Sequence, residues 1–226
     1  MKKIAITASL AVLGFTITAF VTPKVSGDKP FEGVVTYSVN IDNPQAAAMM
    51  QGSSVKVYIK GDKTKTMINM GMQKITIFED RKNPNNPVKL LEAMDNKYQV
   101  KEDPNKKDDA KDPVIKYVDT TKTIAGYTCH KAEVTLTDQQ GQSYTSTVYY
   151  TEDLPYFTGK KDIFKGLKGF PMEYAMKQQG INISFTATSV DKQAVPDDTF
   201  TIPTGYKLMT MEEIMQDVQK QMSGGN

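Results

Sequence analysis

Residues 166–189, GLKGFPMEYAMKQQGINISFTATS, constrain this chain more than any other stretch. Met172, Tyr174 and Met176 alternate with Glu173, Ala175 and Lys177, and Ile181, Ile183, Phe185 and Ala187 alternate with Asn182, Ser184, Thr186 and Thr188. A period of two puts one set on a buried face and the other in water. The stretch therefore predicts a hairpin that turns at Gln179-Gly180 and carries one apolar face. Such a face needs partners, and the rest of the chain supplies strands of the same kind.

From the N-terminal side, Phe31, Gly33, Val35, Tyr37, Val39 and Ile41 share one parity of a long strand that ends at Asp42-Asn43-Pro44. Residues 44–52 follow as a short helical turn or lid, with Pro44 suited to a helix start. Three short strands then form an antiparallel meander: Val55, Val57 and Ile59 lie on the first, Gly61-Asp62 turns into the second, and residues 71–73 turn into the third. Two prolines and three asparagines make 81–87 a loop, and the charged, proline-bounded segment 102–113 predicts an exposed one that tolerates clipping. VIKYVDT reads as a strand, and KTIAGYTCHKAEVTLTD as another with a bulge or close approach at Gly126. The periodicity breaks into prolines, glycines and lysines between Leu154 and Gly169. Thr210 and Glu213 match a capping box for a C-terminal helix over 210–222, with Met211, Ile214, Met215, Val218 and Met222 on one face. The total is about eleven strands and one or two short helices.

The first 27 residues have a different role. Lys2 and Lys3 precede an uncharged run from Ile4 to Val21, and small residues surround Ser26-Gly27, which is the layout of a secretory signal peptide. The run is also long enough to span a membrane, but its hydroxyl residues and its terminal position favour cleavage. The expected product is a soluble periplasmic or otherwise exported protein, a single unit over 28–226 with no transmembrane anchor. The chain has 28 basic and 26 acidic residues; without Lys2, Lys3 and Lys24 the balance is 25 to 26. Near-neutrality leaves no electrostatic footprint for nucleic acid. Cys129 is the sole cysteine, so no intrachain disulfide forms and packing must hold the fold. Eleven Tyr, nine Phe and thirteen Met replace the absent Trp, a set that suits either a core or an adaptable apolar cavity.

No catalytic constellation emerges. Cys129 and the single histidine, His130, are strand neighbours whose side chains point to opposite faces. Asp108-Asp109, Asp197-Asp198 and Glu212-Glu213 read as solvated charge or helix-dipole complements. Met70-x-Met72 and Met209-x-Met211 contain thioethers that suit Cu(I), although methionine in a β core is far commoner. The reading is a non-catalytic protein with no cofactor and no metal.

FEGVVTYSVNI, YIKGDKTKT, TIAGYTCHKAEV, VYYTEDLP, GLKGFPMEY and FTATSVDKQAVPDDTFTIPTGYK together resemble an exported bacterial family of unknown function related to the GLPGLI group. Gly166, Leu167, Gly169 and Phe170-Pro171 stand where that motif falls, with Lys168 in place of its first proline. Such proteins are similar in turn to the periplasmic lipoprotein carriers LolA and LolB. The resemblance implies a mainly β fold, a curved antiparallel sheet forming an incompletely closed β-barrel, with helices plugging the concave side. It also implies an apolar cavity for lipid or lipoprotein acyl chains. On strand parity Val35, Tyr37, Val57, Ile59, Met172, Tyr174, Ile183 and Phe185 would line that cavity, roofed by the Ala46–Met50 and Phe157–Phe170 segments. Phe170 would gate it as a partly exposed residue. The alternative is an envelope protein-interaction module whose concavity is filled by its own helix and loops.

Overall fold

The computed structural model describes residues 30–49, 51–70, 73–93, 95–103, 111–137, 141–156, 158–159, 162–178 and 180–223. The expected signal peptide, most of the 102–113 loop, Met50 and Phe157 lie outside them.

The strands are β1 (Glu32–Ile41), β2 (Ser54–Lys60), β3 (Lys63–Met70), β4 (Gln73–Asp80), β5 (Val88–Ala93) and β6 (Asn96–Val100). They continue as β7 (Val114–Ile124), β8 (Tyr127–Thr137), β9 (Ser143–Thr151), β10 (Phe170–Gln178), β11 (Ile181–Lys192) and β12 (Lys207–Met209). The helices are α1 (Pro44–Met49) and α2 (Met211–Ser223), with one 3-10 turn at Asp197–Phe200. All twelve strands form one curved, unclosed sheet in the order β12-β6-β5-β4-β3-β2-β1-β11-β10-β9-β8-β7. Every pairing is antiparallel except β12 on β6. The β10–β11 hairpin and the β2–β4 meander match the expectation from periodicity. The strand count is twelve instead of eleven because β12 is only three residues long, too short to show a period.

The register unites the apolar parities. Tyr37 pairs with Val55 and Ala187, Val35 with Val57, Val39 with Phe185, and Phe185 with Tyr174. Irregularities at Thr188 on β11, opposite Thr36 and Tyr37, and at Met172 on β10 each insert one extra residue. Bulges of this kind bend a strand and increase its local twist. One core cluster gathers Val35, Tyr37, Ile59, Cys129, Phe170 and Met172; a second gathers Ala132, Val134, Val148, Phe164 and Leu167.

Three local expectations are corrected. Gly126 is neither a bulge nor a close approach: Ala125 (φ 47°) and Gly126 (φ 83°) are the two-residue turn between β7 and β8, and no atom lies within 4 Å of where a Gly126 Cβ would sit. Two consecutive positive φ values are what a type I′ hairpin requires. β1 is not one-sided, because Val34 is also buried, on the face opposite Val35. That face is crossed by the 193–206 segment: Val195 N–H donates to Glu32 (2.7 Å), Lys60 Nζ donates to the Val195 carbonyl and pairs with Asp197 (2.8 Å each), and Tyr206 Oη donates to Glu92 (2.6 Å). Phe78 and Leu90 are buried on the same side. The third correction concerns α2. Its capping box forms as expected, with Thr210 N–H donating to Glu213 (2.7 Å) and Glu213 N–H to Thr210 Oγ1 (3.2 Å). However, Met211 and Met215 are exposed, and the inward residues are Ile214, Asp217 and Val218. The cause is Tyr98, whose buried hydroxyl donates to Asp217 (2.8 Å) and needs that acceptor.

Candidate functional site

A cavity of about 510 Å³ opens on the face of the sheet that carries Tyr37, Val57 and Tyr174. Its floor is the ladder Thr64, Thr66 and Ile68 on β3 with Ile77 and Glu79 on β4 and Val55 and Val57 on β2. The far wall is Tyr174 and Met176 on β10 with Phe185 on β11. Pro155, Tyr156, Asp162, Ile163 and Phe164 come down from the 152–169 segment, and Pro84, Asn85 and Pro87 from the 81–87 loop. These two segments meet where Gly159 abuts the Pro84 carbonyl, an approach that a Cβ would block. The periodicity breaks at 152–169 because the segment is a partial plug: Leu154, Phe164 and Leu167 are buried beneath it. It ends at Gly169, packed on the Thr151 carbonyl, which leads Phe170 into β10.

The wall is a chain of rings. Tyr174 stacks on Phe185 at 4.9 Å between centroids and meets Phe164 edge-on at 5.0 Å and Tyr37 at 6.3 Å. Phe170 bridges Tyr37 (6.5 Å) and Tyr156 (6.1 Å). Tyr37 Oη donates to the Pro171 carbonyl (2.6 Å), which locks the Met172 bulge to β1. Burial raises the Tyr37 and Tyr174 phenols well above their ordinary value, so both stay neutral.

The nine predicted residues divide. Tyr37, Val57, Phe170, Tyr174 and Phe185 line the cavity. Val35, Ile59 and Met172 are fully buried in the core beside it, and Ile183 is half-buried on β11 outside the lining. Phe170 is corrected from a partly exposed gate to a core residue, 5% exposed, because it is wedged between two tyrosine rings. Among the described side chains, those of α1 from Pro44 to Ala48 take no part in the lining. The helix is a surface turn, capped by Asn43 Oδ1, which accepts from Ala46 N–H (3.0 Å); the 81–87 loop forms the second rim instead.

Periodicity did not reveal two carboxyls. Glu79 and Asp162 both line the cavity. Burial pushes Asp162 up, against hydrogen bonds from Phe164 N–H (2.7 Å) and Tyr156 Oη (3.0 Å). Burial likewise raises Glu79, opposed by the Thr64 hydroxyl that donates to it (3.1 Å), and the charge of Asp162 adds to the rise. A β-strand acid beside two turn-forming charges carries no sequence signal of this role.

Cys129 and His130 do point apart. Cys129 is fully buried, and burial raises its thiol to about 11, whereas exposed His130 lies against Tyr150 (5.9 Å). A thiol protonated at neutral pH is a poor nucleophile. Asp197 is committed to Lys60, and Glu213 to the α2 cap. Among the described residues no three His, Cys, Asp or Glu side chains cluster to hold a metal. No helix among them is long and apolar enough to cross a membrane.

The family model described as a domain of unknown function, DUF4412, matches residues 31–206. The chain belongs to that family. In the DUF4412 region lie β1 to β11, the segment 193–206 and every lining residue of the cavity. No curated protein matches the chain. Among solved structures, the Mycobacterium tuberculosis lipoprotein LppX is similar at 10% identity and TM-score 0.35, over 74% of this chain and 90% of that one. LprF from Mycobacterium bovis is similar at 10% identity and TM-score 0.33, over 77% and 90%. A LolA superfamily protein from Nitrosomonas europaea is similar at 11% identity and TM-score 0.32, over 79% and 93%. Superpositions that loose carry no residue roles into this DUF4412 chain.

Proposed function

We propose that this protein is a non-catalytic exported binder of apolar ligands, taking an acyl chain of a lipid or lipoprotein into the concave face of its open sheet. The observation that carries the reading is the cavity itself. About 510 Å³ remains although the 152–169 segment already fills part of the concavity, and aromatic rings form its wall. That volume lies within the roughly 300–1,000 Å³ of typical ligand sites, which combine apolar walls with a few polar groups. Export rests on the tripartite start of the sequence, and a single unit over 28–226 is part of the same reading. So is kinship to the GLPGLI group, supported by Gly166, Leu167 and Gly169.

Delipidated protein should enhance the fluorescence of the neutral dye N-phenyl-1-naphthylamine, and alkanols should displace it. Each buried methylene contributes about 0.8 kcal/mol, so dodecanol should compete roughly fifteenfold better than decanol. Unchanged dye fluorescence, or competition independent of chain length, would refute the reading. Mass spectrometry of exported material should place the mature N-terminus between Phe20 and Phe31; an intact Met1 would exclude cleavage.

A further inference from the structure

The cavity is amphipathic along the strands. Val55, Ile68 and Phe185 line it at one end of the floor, and the Thr64–Glu79 pair lies at the other, with Asp162 held above by the 152–169 segment. Among the described residues, Glu79 and Asp162 are the half-buried carboxyls of the lining, whereas Lys89 and Glu102, which also line it, are exposed. Tyr174, whose ring forms the wall, makes no hydrogen bond through its hydroxyl among the described residues and lies within electrostatic reach of Asp162. Among the described residues, the polar end therefore presents two half-buried carboxyls, each held by hydrogen bonds and neither in an ion pair.

We infer that the cavity selects an amphiphile whose head group donates hydrogen bonds, an alkylammonium above all, with its chain along the Tyr174–Phe185 wall and its head received by Asp162 and Glu79. This rests on the apolar-ligand reading and adds the chemistry of the head. A cation near both carboxyls offsets the charge of Asp162, which adds to the rise that burial imposes on the Glu79 carboxyl. An anionic head at the same place adds its charge to those of Glu79 and Asp162. A neutral hydroxyl donates to either carboxyl without gaining or losing charge pairing, so it falls between the two.

The test is isothermal titration of the delipidated, exported protein at pH 7 with dodecylamine, dodecanol and dodecanoate, each kept monomeric. Dodecylamine should bind at least tenfold more tightly than dodecanoate, with dodecanol between them. In the Glu79→Gln/Asp162→Asn double variant that gap should shrink below threefold, chiefly by weaker dodecylamine binding. Dodecanol bound with dodecanoate as tight as dodecylamine would overturn the head-group assignment and leave the apolar-ligand reading standing. None of the three bound would overturn both. An undiminished preference in a double variant that retains its circular dichroism spectrum would overturn the roles of Glu79 and Asp162. Should that variant not fold, the two single variants are titrated separately, and the series on the unmutated protein already decides the preference.

Discussion

At Phe170 two roles coincide in one ring. It packs in the first core cluster, 5% exposed, and also forms part of the cavity wall. Phe170→Ala should therefore cost about 3–5 kcal/mol in urea unfolding, the range for a buried phenylalanine. Ile183→Ala, half-buried outside the lining, should cost clearly less. Equal losses would count against this assignment. Val57 separates the roles better, since it lines the cavity while only partly buried; Val57→Asp should abolish dye uptake before it abolishes folding. The carboxyls of Asp162 and Glu79 give a pH signature. Both pKa values are raised in the folded state by burial, so folding favours their protonated forms. Their contribution is fully present below the unfolded values near pH 4 and is lost as pH rises through the raised ones. The melting temperature of the parent relative to the Glu79→Gln/Asp162→Asn variant should fall as pH rises from about 4. Parallel curves would contradict the shifts.

At the level of elements, the β7–β8 turn invites a repair. Ala125 holds φ at 47°, a region costing a non-glycine residue about 1–2 kcal/mol, and asparagine tolerates it better. Ala125→Asn should raise stability by up to about 1 kcal/mol, or about 2–4 °C in melting temperature; no gain would mean that the turn is not strained. The same turn marks what the sequence could and could not reveal. Strand faces were readable because β10, β11 and β1 beyond Val34 alternate apolar and polar residues where one side meets the interior. The turn was missed because Ala125-Gly126 lacks the asparagine that usually signals a type I′ hairpin, so the end of β7 was assigned to the following strand. The α2 face was misread because its orientation is set by a hydrogen bond from Tyr98, 119 positions from Asp217 in sequence, and not by the methionine stripe. The same holds at the candidate site, where aromatic wall positions followed from parity and Glu79 with Asp162 did not. Their burial depends on where the irregular 152–169 segment lands, which no periodicity encodes.

Seen whole, the molecule is an open sheet with a different cover on each face. The 152–169 segment partly roofs one face and leaves the cavity, while the 193–206 segment crosses the other over Val34, Phe78 and Leu90. β12 then pairs in parallel with β6, and α2 seals Tyr98. The parallel pairing matters for the order of assembly. Residues 98 and 207 meet across more than a hundred positions, and contacts of such separation form slowly because the loop must close before the pairing rewards it. Until residues 207–209 pair with it, the β6 edge presents a row of amide donors and acceptors to any extended chain nearby. A sheet edge covered by a strand so distant in sequence is the last to be protected. Its vulnerability to aggregation therefore falls in the interval before β12 pairs.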